Sequence, residues 1–129
     1  MKTSSSRSGR LAGRTILVVE DEYFLADDVA SALSGIGAEI VGPFNDLEEA
    51  MQAVSEHAVA GAALDVNVRG QTVYPLAREL QSRGIPFIFM TGYGDDAISS
   101  EYQDVARCEK PFDVKDLASE LASLVLAHR

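Results

Sequence analysis

The chain has 129 residues, 47% of them hydrophobic, which suits one domain with a buried core and leaves no room for a second. Lys and Arg number 11 against 20 Asp and Glu, a formal net charge of -9, which argues against a nucleic-acid surface because phosphate contacts need clustered cations. No apolar run approaches the ~20 residues that span a bilayer, so no membrane partner is expected, and one cysteine, Cys108, permits no intramolecular disulfide, which fits a reducing, cytoplasmic setting.

Met1 to Arg14 hold cations, serines and glycines without an apolar h-region, so they read as a disordered basic tail, and the domain is expected over 15–129. Thr15-Ile16-Leu17-Val18-Val19 is a β-branched run of the kind that forms a central strand buried on both faces. It ends in Glu20-Asp21-Glu22, three acids that repel one another unless a cation or solvent screens them. From Tyr23 the apolar spacing of Phe24, Leu25, Val29, Ala32, Leu33 and Ile36 follows the helical period, and Gly35 and Gly37 stop it.

Glu39-Ile40-Val41 is a short second strand closed by Gly42-Pro43. Asn45 with Glu48 resembles a capping box for a second helix whose face is Leu47, Ala50, Met51 and Val54. Val59 to Leu64 is the third strand, ending on Asp65, and Thr72 is the expected cap of a third helix that carries Pro75 in its first turn. Ile85 to Met90 is the fourth strand, ending on Thr91. Ala97 to Asp104 is too polar and weakly periodic for a firm helix and is expected to be the mobile part. Val105 to Cys108 forms a fifth strand before Glu109-Lys110-Pro111, and a last helix is capped by Asp113 with Val114, Leu117, Leu121, Leu124 and Val125 on one face. Cys108 reads as a small core residue.

Strands and helices that alternate five times predict an α/β fold, a five-stranded parallel sheet of order 2-1-3-4-5, flavodoxin-like, with helices on both faces. In that order the first and third strands are neighbours, and ligands bind at the carboxyl ends of the strands. Glu20 and Asp21, Asp65, Thr91 and Lys110 all fall on that edge. Carboxylates with a backbone carbonyl nearby are hard oxygen ligands suited to Mg2+, and a hydroxyl and an ammonium complete a ring for a phosphoryl group. In such a ring Asp65 is the nucleophile that becomes an aspartyl-phosphate.

Val19-Glu20-Asp21-Glu22, Leu64-Asp65-Val66-Asn67, Thr91 and Lys110-Pro111-Phe112, in this order and spacing, resemble the response-regulator receiver domains of two-component signalling over Thr15 to Ala127. The resemblance implies that Asp65 is the phosphoacceptor and that Mg2+ is held by Asp21, Asp65 and the main-chain carbonyl of Asn67, with Glu20 acting indirectly. It also implies that Thr91 is the switch hydroxyl, that Lys110 is its cationic partner, and that the Lys110-Pro111 bond is cis. The partners implied are a histidine kinase or phosphotransfer protein and a downstream protein, and the chain is then a phosphoacceptor module rather than an enzyme with its own substrate.

Pro86 to Gly94 is similar to the signature of the stand-alone FAT GUY receivers and departs from it at Met90 and Gly94. Arg107 stands where most receivers carry a strand-five aromatic that rotates inward on activation, which points the switch instead toward Thr91, the Gly92 to Gly94 turn and the weak fourth helix. Two other readings compete: a pseudo-receiver that binds partners without phosphorylation, and a haloacid-dehalogenase-like phosphohydrolase, which wants an acid where this chain has Asn67. Leu124 and Leu126 cannot both face the core, but one exposed leucine is ordinary on a surface, so a monomer is expected.

Overall fold

The structure, a computed structural model, describes residues 9–92 and 98–128. Its elements are β1 (Thr15–Val19), α1 (Tyr23–Gly35), β2 (Glu39–Phe44), α2 (Leu47–Glu56), β3 (Gly61–Asp65), β4 (Asn67–Val68), β5 (Gln71–Thr72), α3 (Tyr74–Ser82), β6 (Phe87–Thr91), a 3-10 turn (Ser100–Tyr102), β7 (Arg107–Glu109) and α4 (Val114–Ala127). The five long strands form one parallel sheet in the order β2-β1-β3-β6-β7, the order the alternation predicts. No helix among the described residues is long and apolar enough to cross a membrane.

The twofold alternation of side chains along a strand divides the interior into two cores. Leu17, Val19, Ala62, Leu64, Phe87 and Phe89 pack under α2 and α3. Ile16, Val18, Ala63, Ile88 and Met90 pack under α1 and α4. Gly61 lets α4 lie close on β3, because a Cβ there would sit 2.6 Å from the Val125 Cγ2 methyl and 3.3 Å from Ile16 Cδ1. Registry then carries the strand ends to one edge, with Val19 beside Leu64, Asp65 beside Met90 and Thr91 beside Glu109.

Four local expectations are corrected. Phe24 is 77% exposed and packs edge-on against the exposed Tyr23, because the buried stripe of α1 is Ala26, Val29 and Leu33, about 200° around the helix from a residue two positions before Ala26. The cap of α2 is Asp46, whose Oδ2 accepts a hydrogen bond from Glu49 N at 3.0 Å, one residue later than the Asn45 and Glu48 pattern. Thr72 does not cap α3, since it is paired with Asn67 in a small hairpin and Val73 takes the cap position without a side-chain bond. Between Ile98 and Asp104 the backbone makes only the 3-10 turn, so among the described residues the fourth crossover has no α-helix.

Of the expected tail 1–14, residues 1–8 lie outside the described residues, and the otherwise exposed segment Gly9 to Arg14 is anchored by Leu11 and Arg10. Leu11 is fully buried and its N–H donates to Ile36 O at 2.8 Å. The Arg10 guanidinium donates to Ser119 O at 3.3 Å and Ser123 Oγ at 3.0 Å on α4. Leu11→Ala should therefore cost about 2–4 kcal/mol in urea unfolding, as buried leucines do. A change below about 0.5 kcal/mol, the range of surface substitutions, would contradict the packing of this segment.

Candidate functional site

Among the described residues the buried polar or charged side chains are Glu20, Asp65 and Thr91, at 2%, 4% and 6% exposure. All three stand at or just beyond the carboxyl ends of neighbouring strands of the sheet, where chain direction and register leave them no other place. Lys110, one residue past β7, reaches back across the edge: its Nζ lies 3.0 Å from Glu20 Oε1 and 3.3 Å from Asp65 Oδ2. Its own N–H donates to Thr91 O at 2.6 Å, which ties the end of β7 to that of β6, and the Lys110-Pro111 bond is cis.

Backbone donors hold the carboxylates. Glu20 Oε2 accepts from Glu22 N at 2.9 Å, and Asp65 Oδ1 accepts from Asn67 N at 3.2 Å. Asp21, which is exposed, accepts at Oδ2 from Arg69 N at 3.0 Å, across 48 residues. One oxygen from each of Glu20, Asp21 and Asp65 lies within 4.8 Å of the others.

Burial, and next the charge of Glu20, push the Asp65 carboxyl up to about 7, against a smaller pull downward from Lys110. Burial alone would lower the Lys110 ammonium, but the hydrogen bonding and charge of Glu20 and Asp65 outweigh it and hold Lys110 above the usual lysine value. One ammonium thus faces three carboxylates, and the cluster carries excess negative charge. Glu20 Oε1 is buried and, apart from its ion-pair contact with Lys110, receives no aligned hydrogen bond. An all-oxygen donor set whose negative charge one ammonium does not offset fits a hard divalent cation of the Mg2+ kind.

The structure brings Glu20, Asp65 and Lys110 into contact and Asp21 within 4.8 Å of the two other carboxylates, with Thr91 buried at the adjoining strand end and Asn67 following Asp65. Arg107 does not enter the site. Its guanidinium donates to the carbonyls of Tyr102 at 3.3 Å and Gln103 at 2.9 Å, at the end of the 3-10 turn. Tyr102 is the residue that sequence reasoning missed: it is fully buried, stacks on Tyr74 at 4.8 Å between ring centroids and meets Phe89 edge-on at 5.8 Å. Burial raises its phenol. Tyr74 OH in turn accepts from Ser99 N at 2.9 Å. The signal for this cluster was weak, since Tyr74 and Tyr102 are single aromatics in polar stretches. Cys108 is half-buried, its thiol pushed up by burial. Tyr93 and Gly94 of the expected turn, and Ala97 of the expected helix, lie outside the described residues.

No family model matches the chain. Its sequence is 31% identical over 115 residues to the transcriptional regulatory protein PdtaR of Mycobacterium tuberculosis, covering 84% of this chain and 56% of that protein. The chain thus spans just over half the length of the curated relatives it matches. Its structure is similar to the solution structure of SdrG from Sphingomonas melonis Fr1, with a TM-score of 0.78 and 33% identity over 88% of this chain and 96% of that one. It is also similar to the receiver domain of NtrX from Brucella abortus, with a TM-score of 0.73 and 28% identity over 87% and 98% of the two chains. The five-stranded parallel sheet, with its acidic residues at one strand edge, places the chain in the flavodoxin-like α/β class. The chain belongs to the receiver domains of two-component response regulators.

A carboxyl raised from 3.8 to about 7 binds a proton in the folded state that the unfolded chain has released, so metal-free stability is fully present below pH 3.8 and falls as pH rises toward 7. Asp65→Asn removes this dependence. In chelator-treated protein the substitution should stabilise at pH 8, by up to about 4 kcal/mol, and much less at pH 4.5. Equal effects at the two pH values in urea unfolding would contradict the strained carboxylate.

Proposed function

We propose that the domain accepts a phosphoryl group from a histidine kinase or phosphotransfer protein onto Asp65, in a site loaded with Mg2+. The observation that carries this reading is the convergence of the buried polar residues on one strand edge, with Lys110 set between Glu20 and Asp65. A carboxylate oxygen of Asp65 attacks phosphorus, the N–P bond of the phosphohistidine breaks, and the imidazole nitrogen keeps the electron pair and takes a proton from solvent. The Lys110 ammonium sits beside the nucleophile and neutralises charge on the transferring group. The Asn67 amide holds the second oxygen of Asp65, which fixes the direction of attack.

Asp21 and Asp65, the Asn67 main-chain carbonyl and, indirectly, Glu20 are the proposed ligands of Mg2+. Bound there, Mg2+ supplies the positive charge that keeps Asp65 ionised and offsets charge on the phosphoryl oxygens. The buried Thr91, on the strand beside Asp65, is the proposed switch hydroxyl. We assign the domain to the FAT GUY type on the Pro86 to Gly94 stretch, and its output to a downstream protein in the cytoplasm, with the domain acting as a monomer. Without a strand-five aromatic, the change at Thr91 is read through Phe89 and the Tyr74 and Tyr102 stack rather than through Arg107.

Phosphoramidate with Mg2+ should add one phosphoryl group to the wild-type chain, detected by intact mass. Asp65→Asn should abolish the adduct while keeping the native circular dichroism spectrum. Lys110→Ala should slow uptake by about tenfold or more, the size of a lost charge-assisted contact. Uptake by Asp65→Asn at the wild-type rate would refute the assignment.

A further inference from the structure

The chain after the proposed phosphoacceptor does not run straight into α3. It folds into a two-residue hairpin, β4 to β5, in which Asn67 pairs with Thr72 and Val68 with Gln71. The turn residues Arg69 and Gly70 have φ of 52° and 82°, both positive, the pattern of the primed turn whose twist suits a hairpin. Arg69 is the one non-glycine residue with positive φ among the described residues, and that first turn position favours Asn, Asp or Gly. Val68 is fully buried and anchors the hairpin in the core beneath. What the left-handed turn delivers is the Arg69 N–H, which meets Asp21 Oδ2 at 3.0 Å.

From this juxtaposition we infer that the Asn67–Thr72 hairpin is the positioning device of the cation site: its Arg69 amide fixes Asp21, while its register fixes Asn67. The inference rests on the reading of Glu20, Asp21 and Asp65 as that site. Asp21 is exposed and would otherwise rotate among its rotamers, and ordering it in advance lowers the entropy lost when an ion binds. An amide on one carboxylate oxygen leaves the second as the ligand atom. Arg69 and Gly70 are positioning residues, acting through backbone conformation and the Asp21 side chain.

Gly70 offers a clean perturbation, because a Cβ there meets nothing within 4 Å and only its φ of +82° is at issue. Gly70→Val and Gly70→Asn add comparable exposed side chains, but Asn tolerates the left-handed region and Val does not. Binding of Mn2+ to the full chain is measured by water-proton relaxation, alongside the metal-free melting temperature and the Arg69 amide resonance. Gly70→Val should weaken Mn2+ about five- to tenfold and shift the Arg69 amide, with the melting temperature within a few degrees of wild type. Gly70→Asn should keep affinity within twofold.

Wild-type affinity in Gly70→Val with a displaced Arg69 amide would overturn the inference and leave the cation site standing. Equal losses in Gly70→Val and Gly70→Asn would also overturn it. Failure of the wild type to bind Mn2+ in a manner abolished by Asp65→Asn would overturn both the site and its positioning device.

Discussion

The interaction on which the rest depends is the ammonium of Lys110 between two buried carboxylates, Glu20 and Asp65. Burying charge is costly, and a single cation among three acids does not balance them. Natural cores avoid such arrangements, so its presence at one spot in an otherwise apolar interior means that the fold is built to hold it. The parallel sheet supplies the rigidity. Two apolar layers lock the strand register, and the register leaves Glu20, Asp65, Thr91 and Lys110 at one edge. The uncompensated charge is what a divalent cation would relieve, and the ion and Lys110 together would offset the charge of an incoming phosphoryl group.

The parts of the chain away from this edge differ in how tightly they are held. The α2 and α3 side has large apolar side chains from both layers, and Gly61 allows α4 to close tightly on the other. Among the described residues the crossover after β6 is held by the buried Ile98 and Tyr102, the Tyr74 and Tyr102 stack, the bond from Ser99 N to Tyr74 OH, the Gln103 amide on Ile98 O, and Arg107 on two carbonyls.

Much of this was legible in the sequence, for physical reasons. Buried parallel strands must be continuous apolar runs, so β1, β3 and β6 were readable from Thr15–Val19, Val59–Leu64 and Ile85–Met90, the last two runs beginning two residues before the strands do. Acids and a lysine immediately after such runs are chemically conspicuous, and chain alternation alone places them together. Features fixed by tertiary contact were not readable. Leu11 stands among Arg, Ala and Gly with no period to betray its burial, and only its tertiary packing into the core under α1 and α4 explains it. Val68 to Gln71 reads as a turn, but Arg-Gly in place of the Asn-Gly that signals a hairpin hid the pairing of Asn67 with Thr72, and with it the contact to Asp21. Asn45 and Asp46 are both good caps, so the sequence alone does not separate them, and the structure uses the second. Phe24 matched the apolar spacing at the start of α1, yet the helix phase set by Ala26 and Val29 turns it outward.

The most direct measurement is a pair of ¹H–¹⁵N correlation spectra of the full chain, with Mg2+ alone and with Mg2+ plus beryllofluoride, on wild type and Asp65→Asn. The account predicts shifts that begin at Asp65 and Lys110 and spread through Thr91 to Tyr102 and Arg107, absent from the variant. A folded wild-type protein with no beryllofluoride response, or one whose shifts persist in Asp65→Asn, would contradict it.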